Sequence, residues 1–267
     1  MKLAIKLVCL TIVVSPLAQT SARALTADDL KRIGYDQRIG QPLARHLTFE
    51  DSDKRTVALG DLLNHKPTLL VLGYYHCPML CSLINDGLIE ALQELRFNVG
   101  RDFNVINVSI DPHETPAVAS VKKKEYLKRY ARPGADGSWH FLTGTEQTIA
   151  QLAKEAGFRF KFDPVSNEYA HPSGFIVLTP EGKISRYFFG VNFDPKELRR
   201  AIATASNGRS GSVIHELVLL CSHYNPITGK YGVIVLKVLR AMSVMTVLLL
   251  ACWIVTLSRR HSTAEGG

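Results

Sequence analysis

The 267-residue chain contains no internal repeat and no low-complexity tract, which excludes solenoid and fibrous architectures. It also lacks any basic strip interleaved with aromatic residues. The formal charge is +8, but the densest basic spots in mid-chain, Lys122-Lys123-Lys124 and Arg199-Arg200, read as exposed faces of amphipathic helices. That pattern gives no reason to expect nucleic acid as a partner.

Acidic residues are missing from residues 1–24. There Lys2 and Lys6 flank the start of an apolar core, Leu7 to Val14, and Ala22-Arg23-Ala24 offers a small-x-small cleavage site. A secretory signal peptide is expected, and its removal takes Cys9 with it; a retained amphipathic N-terminus is the alternative. Charge of either sign is missing from Ala241 to Leu257, and Arg259-Arg260 follow after Ser258. Those 17 residues are short for a spanning helix. Gly232 to Leu239, interrupted only by Lys237, extends the segment if Lys237 and Arg240 snorkel. A C-terminal transmembrane helix over 232–258 with a cytoplasmic tail over 259–267 is therefore expected, a buried soluble helix being the other reading. The positive-inside tendency then places the functional domain in the periplasm or outside the cell, tethered to the cytoplasmic membrane.

What the chain does have is Tyr74-Tyr75-His76-Cys77-Pro78-Met79-Leu80-Cys81. The apolar run Thr68 to Gly73 before it reads as a strand buried on both faces. Leu83, Ile84, Gly87, Leu88, Ala91, Leu92 and Leu95 after it recur at helical spacing, so the cysteines sit where a buried strand turns into a helix. Pro78 suits a first helical turn, which places Cys77 at or just before the helix start, where the dipole favours a thiolate. Cys81, four residues on, falls on the same face, with Cα atoms roughly 6 Å apart in ideal geometry. The pair can cycle between dithiol and a Cys77–Cys81 disulfide, or clamp one soft metal ion. An inert structural disulfide is the plainer reading, and a position at a helix start argues against it. Three intervening residues, not the two of the thioredoxin redox motif, open a wider bite for a metal.

From the N-terminus, residues 25–44 read as an irregular lead-in. His46 to Glu50 and Val57 to Leu59 flank a turn as a hairpin, and Asp61 to Leu63 can make one helical turn. Phe103 to Ile110 reads as a second core strand. Thr115 caps a helix opened by Pro116 and running to about Tyr130. A short strand at Trp139 to Leu142 precedes a helix from Glu146 to Ala156, capped by Thr145 and stopped at Gly157. Phe158 to Phe162 is a further strand, residues 163–170 a polar loop, and Gly174 to Leu178 with Ile184 to Phe189 a hairpin. Asp194-Pro195 opens a last helix to about Ala203, and residues 206–211 form a flexible linker. Strand, helix, strand, helix, hairpin and closing helix is the thioredoxin-like α/β order.

His171, before Pro172, is an ordinary loop residue on local grounds. In a thioredoxin-like fold the loop before the hairpin approaches the reactive cysteines, which makes His171 a candidate third ligand. Two thiolates and one imidazole suit Cu(I) and accept Cu(II). His76 is expected to point away from Cys77 and to act on it indirectly. Met79 reads as packing, and Asp111 either orients a group in the site or caps its loop. Cys221-Ser222-His223 can form a second soft-metal or redox spot, while Cys252 reads as a small apolar residue.

Three motifs occurring in order, Cys77-Pro78-Met79-Leu80-Cys81, Asp111-Pro112-His113-Glu114-Thr115-Pro116 and His171 ahead of Gly174 to Gly182, make the chain resemble the Sco/SenC family from about Pro42 to Ala205. The resemblance implies a thioredoxin-fold copper protein serving assembly of the dinuclear copper centre of cytochrome c oxidase. It also implies copper held by Cys77, Cys81 and His171. The implied partners are the copper-bearing oxidase subunit or another periplasmic copper carrier, and a thiol reductant. Met79-Leu80 stand where family members commonly carry an acidic residue, and the expected anchor is C-terminal where many members have an N-terminal one. A thiol–disulfide oxidoreductase acting on copper-site cysteines and a peroxide-reducing enzyme are the competing functions. These readings divide the chain into a signal peptide (1–24), an N-terminal extension (25–41), a thioredoxin-like copper-binding domain (42–205), a linker and juxtamembrane segment (206–231), the membrane helix and the tail.

Overall fold

A computed structural model describes residues 26–63, 65–77, 80–209, 224–225, 230–231, 240 and 242–247. Short apolar runs bounded by turn residues have become strands, and longer stretches with apolar residues three and four apart have become helices. In order these are α1 (Ala27–Lys31), β1 (Gly34–Tyr35), β2 (Thr48–Asp51), β3 (Thr56–Ala58), α2 (Leu59–Leu63), β4 (Thr68–Gly73), α3 (Leu80–Glu94) and β5 (Asn104–Ser109). There follow α4 (Pro116–Tyr130), β6 (Trp139–Thr143), α5 (Glu146–Glu155), β7 (Phe158–Arg159), β8 (Lys161–Asp163), β9 (Glu168–Ala170), β10 (Gly174–Leu178), β11 (Ile184–Phe189) and α6 (Pro195–Ser206). Two further two-residue strands, β12 (Tyr224–Asn225) and β13 (Lys230–Tyr231), pair with each other.

Seven strands make the central sheet in the order β11-β10-β4-β5-β6-β2-β3. β4, β5 and β6 run parallel, while β10 is antiparallel to β4, and β2 to β6. Successive strand side chains point to opposite faces. Leu69, Val71, Val105, Phe141, Phe175 and Val177 therefore pack with α3, α4 and α6 in one core layer. Leu70, Leu72, Ile106, Val108, Ile176 and Leu178 pack with α2 and α5 in the other. β4, buried on both sides, is apolar from Leu69 to Leu72, whereas β5 buries polar side chains that are hydrogen-bonded, Asn104 to the Leu62 and Leu63 carbonyls and Asn107 to Asn85. The order β4-α3-β5-α4, then hairpin β10-β11 and α6, is the one read from the sequence.

Several local expectations are corrected. Residues 25–44 are not irregular throughout: α1 forms, and β1 pairs with β7 through Gly34 opposite Arg159 and Tyr35 opposite Phe158. The single strand expected at Phe158 to Phe162 divides into β7 and β8, and β9, within the expected polar loop, pairs with β8. Thr115 occupies the cap position of α4 without a side-chain cap bond, whereas Thr145 Oγ1 does accept from the Thr148 amide. α6 continues to Ser206, and Ser185 Oγ donates to the Arg209 carbonyl, so the chain is held against the domain past the expected end of the helix.

The expected signal peptide, Cys9, Pro78, Met79, Cys221, His223 and Cys252 lie outside the described residues, as does most of the expected membrane segment. Within that segment, 242–247 are helical and expose Met242, Val244, Met245 and Val247. No helix among the described residues is long and apolar enough to cross a membrane.

Candidate functional site

β4 ends at Gly73, and the chain turns at once: the Cys77 amide donates to the Tyr74 carbonyl at 3.4 Å. Cys77 is half-buried and packs against the core layer that holds Tyr74 and Phe158. Cys81 is the second residue of α3, and its side chain lies outside the described residues. The described helix starts after Cys77, so Cys77 belongs to the turn between strand and helix.

His171 reaches the same end of the sheet from the other direction. Ile176 lies opposite Leu70 and Leu178 opposite Thr68 in the antiparallel β10–β4 pair. Because β10 runs antiparallel to β4, the loop that carries His171 enters β10 at the end of the sheet where β4 gives way to the Cys77 turn. Its ring, 3% exposed, meets the Tyr74 ring edge-on at 6.0 Å and lies 6.0 Å from Phe158. Tyr74 thus touches both candidates, its carbonyl accepting from Cys77 and its ring packing on His171. Just after His171, β10 begins at Gly174 with φ +139°, where a Cβ would stand 2.0 Å from the Phe188 oxygen. Only glycine lets β10 start this close to β11.

His171 Nδ1 lies 3.0 Å from the Pro172 carbonyl oxygen. A carbonyl only accepts, so Nδ1 carries the proton and the lone pair resides on Nε2. A backbone carbonyl that fixes the tautomer in this way is the usual outer support of a metal-binding imidazole.

Under the turn sits a group that has no local signature in the sequence. Glu114 is 6% exposed, and its two oxygens divide four partners between them. Oε2 accepts from the Tyr75 amide at 2.8 Å and the Ser109 hydroxyl at 2.6 Å; Oε1 accepts from the His76 amide at 2.6 Å and lies 2.9 Å from His76 Nδ1. His76 itself is turned outward, its side chain 67% exposed. The motif at 111–116 marks the loop after β5 but not this role, because the two backbone donors come from the turn after β4.

Asp111 caps that loop: its Oδ1 accepts from the His113 amide and lies 2.9 Å from His113 Nδ1. It also faces the Tyr169 phenol, whose pKa rises because of burial and then because of the Asp111 carboxylate. Tyr169 packs edge-on against Tyr74 at 5.6 Å, completing an aromatic wall. Below, the Tyr75 hydroxyl lies between the Asn107 and Leu142 carbonyls at 3.1 and 2.8 Å. Burial, then the Glu114 charge, pushes its pKa well up, so the phenol stays a donor. Asn107 joins Asn85 at 2.8 Å and Trp139 Nε1 at 2.9 Å, closing a buried polar floor.

Among the described residues no three His, Cys, Asp or Glu side chains cluster as a metal site. The expected trio requires the Cys81 sulfur, so the structure brings Cys77 and His171 to one end of the sheet and leaves the third donor to the sequence. Two thiolates and an imidazole of fixed tautomer are a soft donor set that fits copper.

The SCO1/SenC family description matches residues 36–207. The SCO1 protein homolog of Bacillus subtilis is 25% identical over 166 residues, covering 60% of this chain and 81% of that protein. A crystal structure of an Aquifex aeolicus protein superposes with a TM-score of 0.56 at 30% identity, over 64% of this chain and 96% of that one. The copper-bound crystal structure of Arabidopsis thaliana ScoI, 22% identical, shares the fold with a TM-score of 0.50 over 64% of this chain and 99% of that one.

Proposed function

The chain belongs to the SCO1/SenC family, and on that premise we propose that it is a membrane-anchored periplasmic copper chaperone. In this reading Cys77, Cys81 and His171 hold one copper ion as cargo and hand it by ligand exchange to an oxidase copper subunit or another carrier. The observation that carries it is the His171 imidazole, buried beside the Cys77 turn with its proton locked on Nδ1 by the Pro172 carbonyl. In such a tautomer Nε2 is the nitrogen that binds a metal. The exposed apolar residues of 242–247 support the proposed anchor.

Oxidation of the pair to a disulfide removes both thiolates, so two electrons and two protons from a thiol reductant must open it before copper loads. The test is copper stoichiometry of the full chain under anaerobic conditions, reduced and oxidised, alongside Cys77→Ser and Cys81→Ser. One copper per reduced chain is expected, with none retained by the oxidised chain or by either variant. A reduced chain that takes up no copper sinks the proposal.

The partial exposure of Cys77 favours a second reading, a thiol–disulfide oxidoreductase acting on copper-site cysteines. That exchange uses the two sulfurs alone, so it predicts that His171→Ala keeps disulfide reduction while copper binding is lost.

A further inference from the structure

The ladder between β4 and β5 ends as the Ile110 amide donates to the Gly73 carbonyl. Beyond that point the amides of Tyr75 and His76 have no strand to pair with, and they are the two that immediately precede Cys77. Both are taken by the buried Glu114 carboxylate. We propose that Glu114 is the positioning residue for Cys77: it replaces the missing strand partner and fixes the turn that presents the sulfur. This rests on the reading of Cys77 as a copper ligand.

The division of partners explains why a carboxylate is needed. Each oxygen serves one backbone amide and one side chain, Oε2 with Ser109 and Oε1 with the His76 ring. A glutamine has the same shape but only one acceptor oxygen. Whichever way its amide is turned, an NH2 group faces either the Tyr75 amide and Ser109 or the His76 amide. The other end of the turn is pinned independently, by the Tyr75 hydroxyl on the Asn107 and Leu142 carbonyls. Glu114→Gln should therefore loosen the segment next to Cys77 while the polar floor stays in place.

The experiment compares the full reduced chain with Glu114→Gln and with Ile149→Ala, a cavity variant in α5, an element that supplies none of the hydrogen-bond partners of Glu114, which should lower melting temperature. Amide exchange at Tyr75, His76 and Cys77 is read without metal; Cu(I) affinity and the thiolate-to-Cu(II) absorption band are read with it. Glu114→Gln should speed exchange at those three amides, weaken copper binding by about tenfold and shift the band. Ile149→Ala should lower melting temperature and do none of these. Wild-type affinity and band in Glu114→Gln, or the same losses in Ile149→Ala, overturn the proposal. If the parent chain binds no copper, the chaperone reading fails by itself. Exchange at the three amides then decides whether Glu114 holds the turn: faster in Glu114→Gln alone supports it, equal in both variants overturns it.

Discussion

His171 and His140 show how surroundings assign imidazoles different duties. His171 keeps its proton on Nδ1 because a carbonyl sits beside it. His140, on β6, has its pKa lowered from 6.5 to about 4 by burial and by Lys123, with Arg55 adding to the effect and Asp51 opposing it. The folded state thus disfavours the charged ring. Above the unfolded pKa both states hold a neutral ring and nothing is lost; as pH falls from 6.5 toward 4, the unfolded chain takes up the proton first and stability drops. The loss attributable to His140 approaches about 3 kcal/mol at the acid end, by the usual conversion of a pKa shift. His140→Gln should flatten this part of the stability profile, read as denaturant midpoints between pH 7 and 4. An unchanged slope would assign the acid loss to other groups.

Among the elements, α3 carries the tightest glycine contact of the described residues. A Cβ at Gly87 would stand 1.7 Å from the Val191 carbonyl oxygen, a backbone atom that cannot swing aside. Gly87 therefore lets the cysteine-bearing helix lie directly on the loop after β11. Gly87→Ala should destabilise the chain by about 2 kcal/mol or more, as overpacking does, seen as a lower denaturant midpoint at constant slope. Equal midpoints would mean that α3 is not seated on that loop. β4 and β10 could be read in the sequence because they are short, bounded apolar runs, and β4 matches its expected span from Thr68 to Gly73; β5 was legible from alternation leading into an apolar end, although Asn104, Asn107 and Ser109 are buried with the rest. α4 was legible at both ends: Pro116 opens it, and the Arg132-Pro133-Gly134 loop marks its end, which the structure closes at Ala131 with φ 55°. The pairs β1–β7 and β8–β9 were not legible, since strands of two or three residues exist only through partners distant in the chain or across a loop. Glu114 escaped for a similar reason. Its sequence neighbours say nothing of the Tyr75 and His76 amides, which reach it only through the parallel pairing of β4 with β5.

The whole molecule assembles its site from three connections: β4 to α3, β5 to α4, and β9 to β10. All three emerge at the end of the sheet where the parallel strands terminate, the usual place for a ligand in such sheets. Cys77 and His171 are far apart in sequence and come to the same end of the sheet, each against Tyr74, only because β10 lies against β4. The proposed donor set comes together only in the folded chain, so the proposal couples metal affinity to folding. The motifs that carried the family resemblance could be read because each is local; their convergence depended on the sheet. The central claim is that His171 completes the copper site begun by the cysteines. The measurement is a competitive Cu(I) titration of the reduced full chain, under anaerobic conditions and against a chelator of known affinity, beside His171→Ala. The account predicts one tightly held copper and a loss of more than about tenfold in the variant. Equal affinities in the two proteins would contradict it and leave the cysteines acting without the histidine.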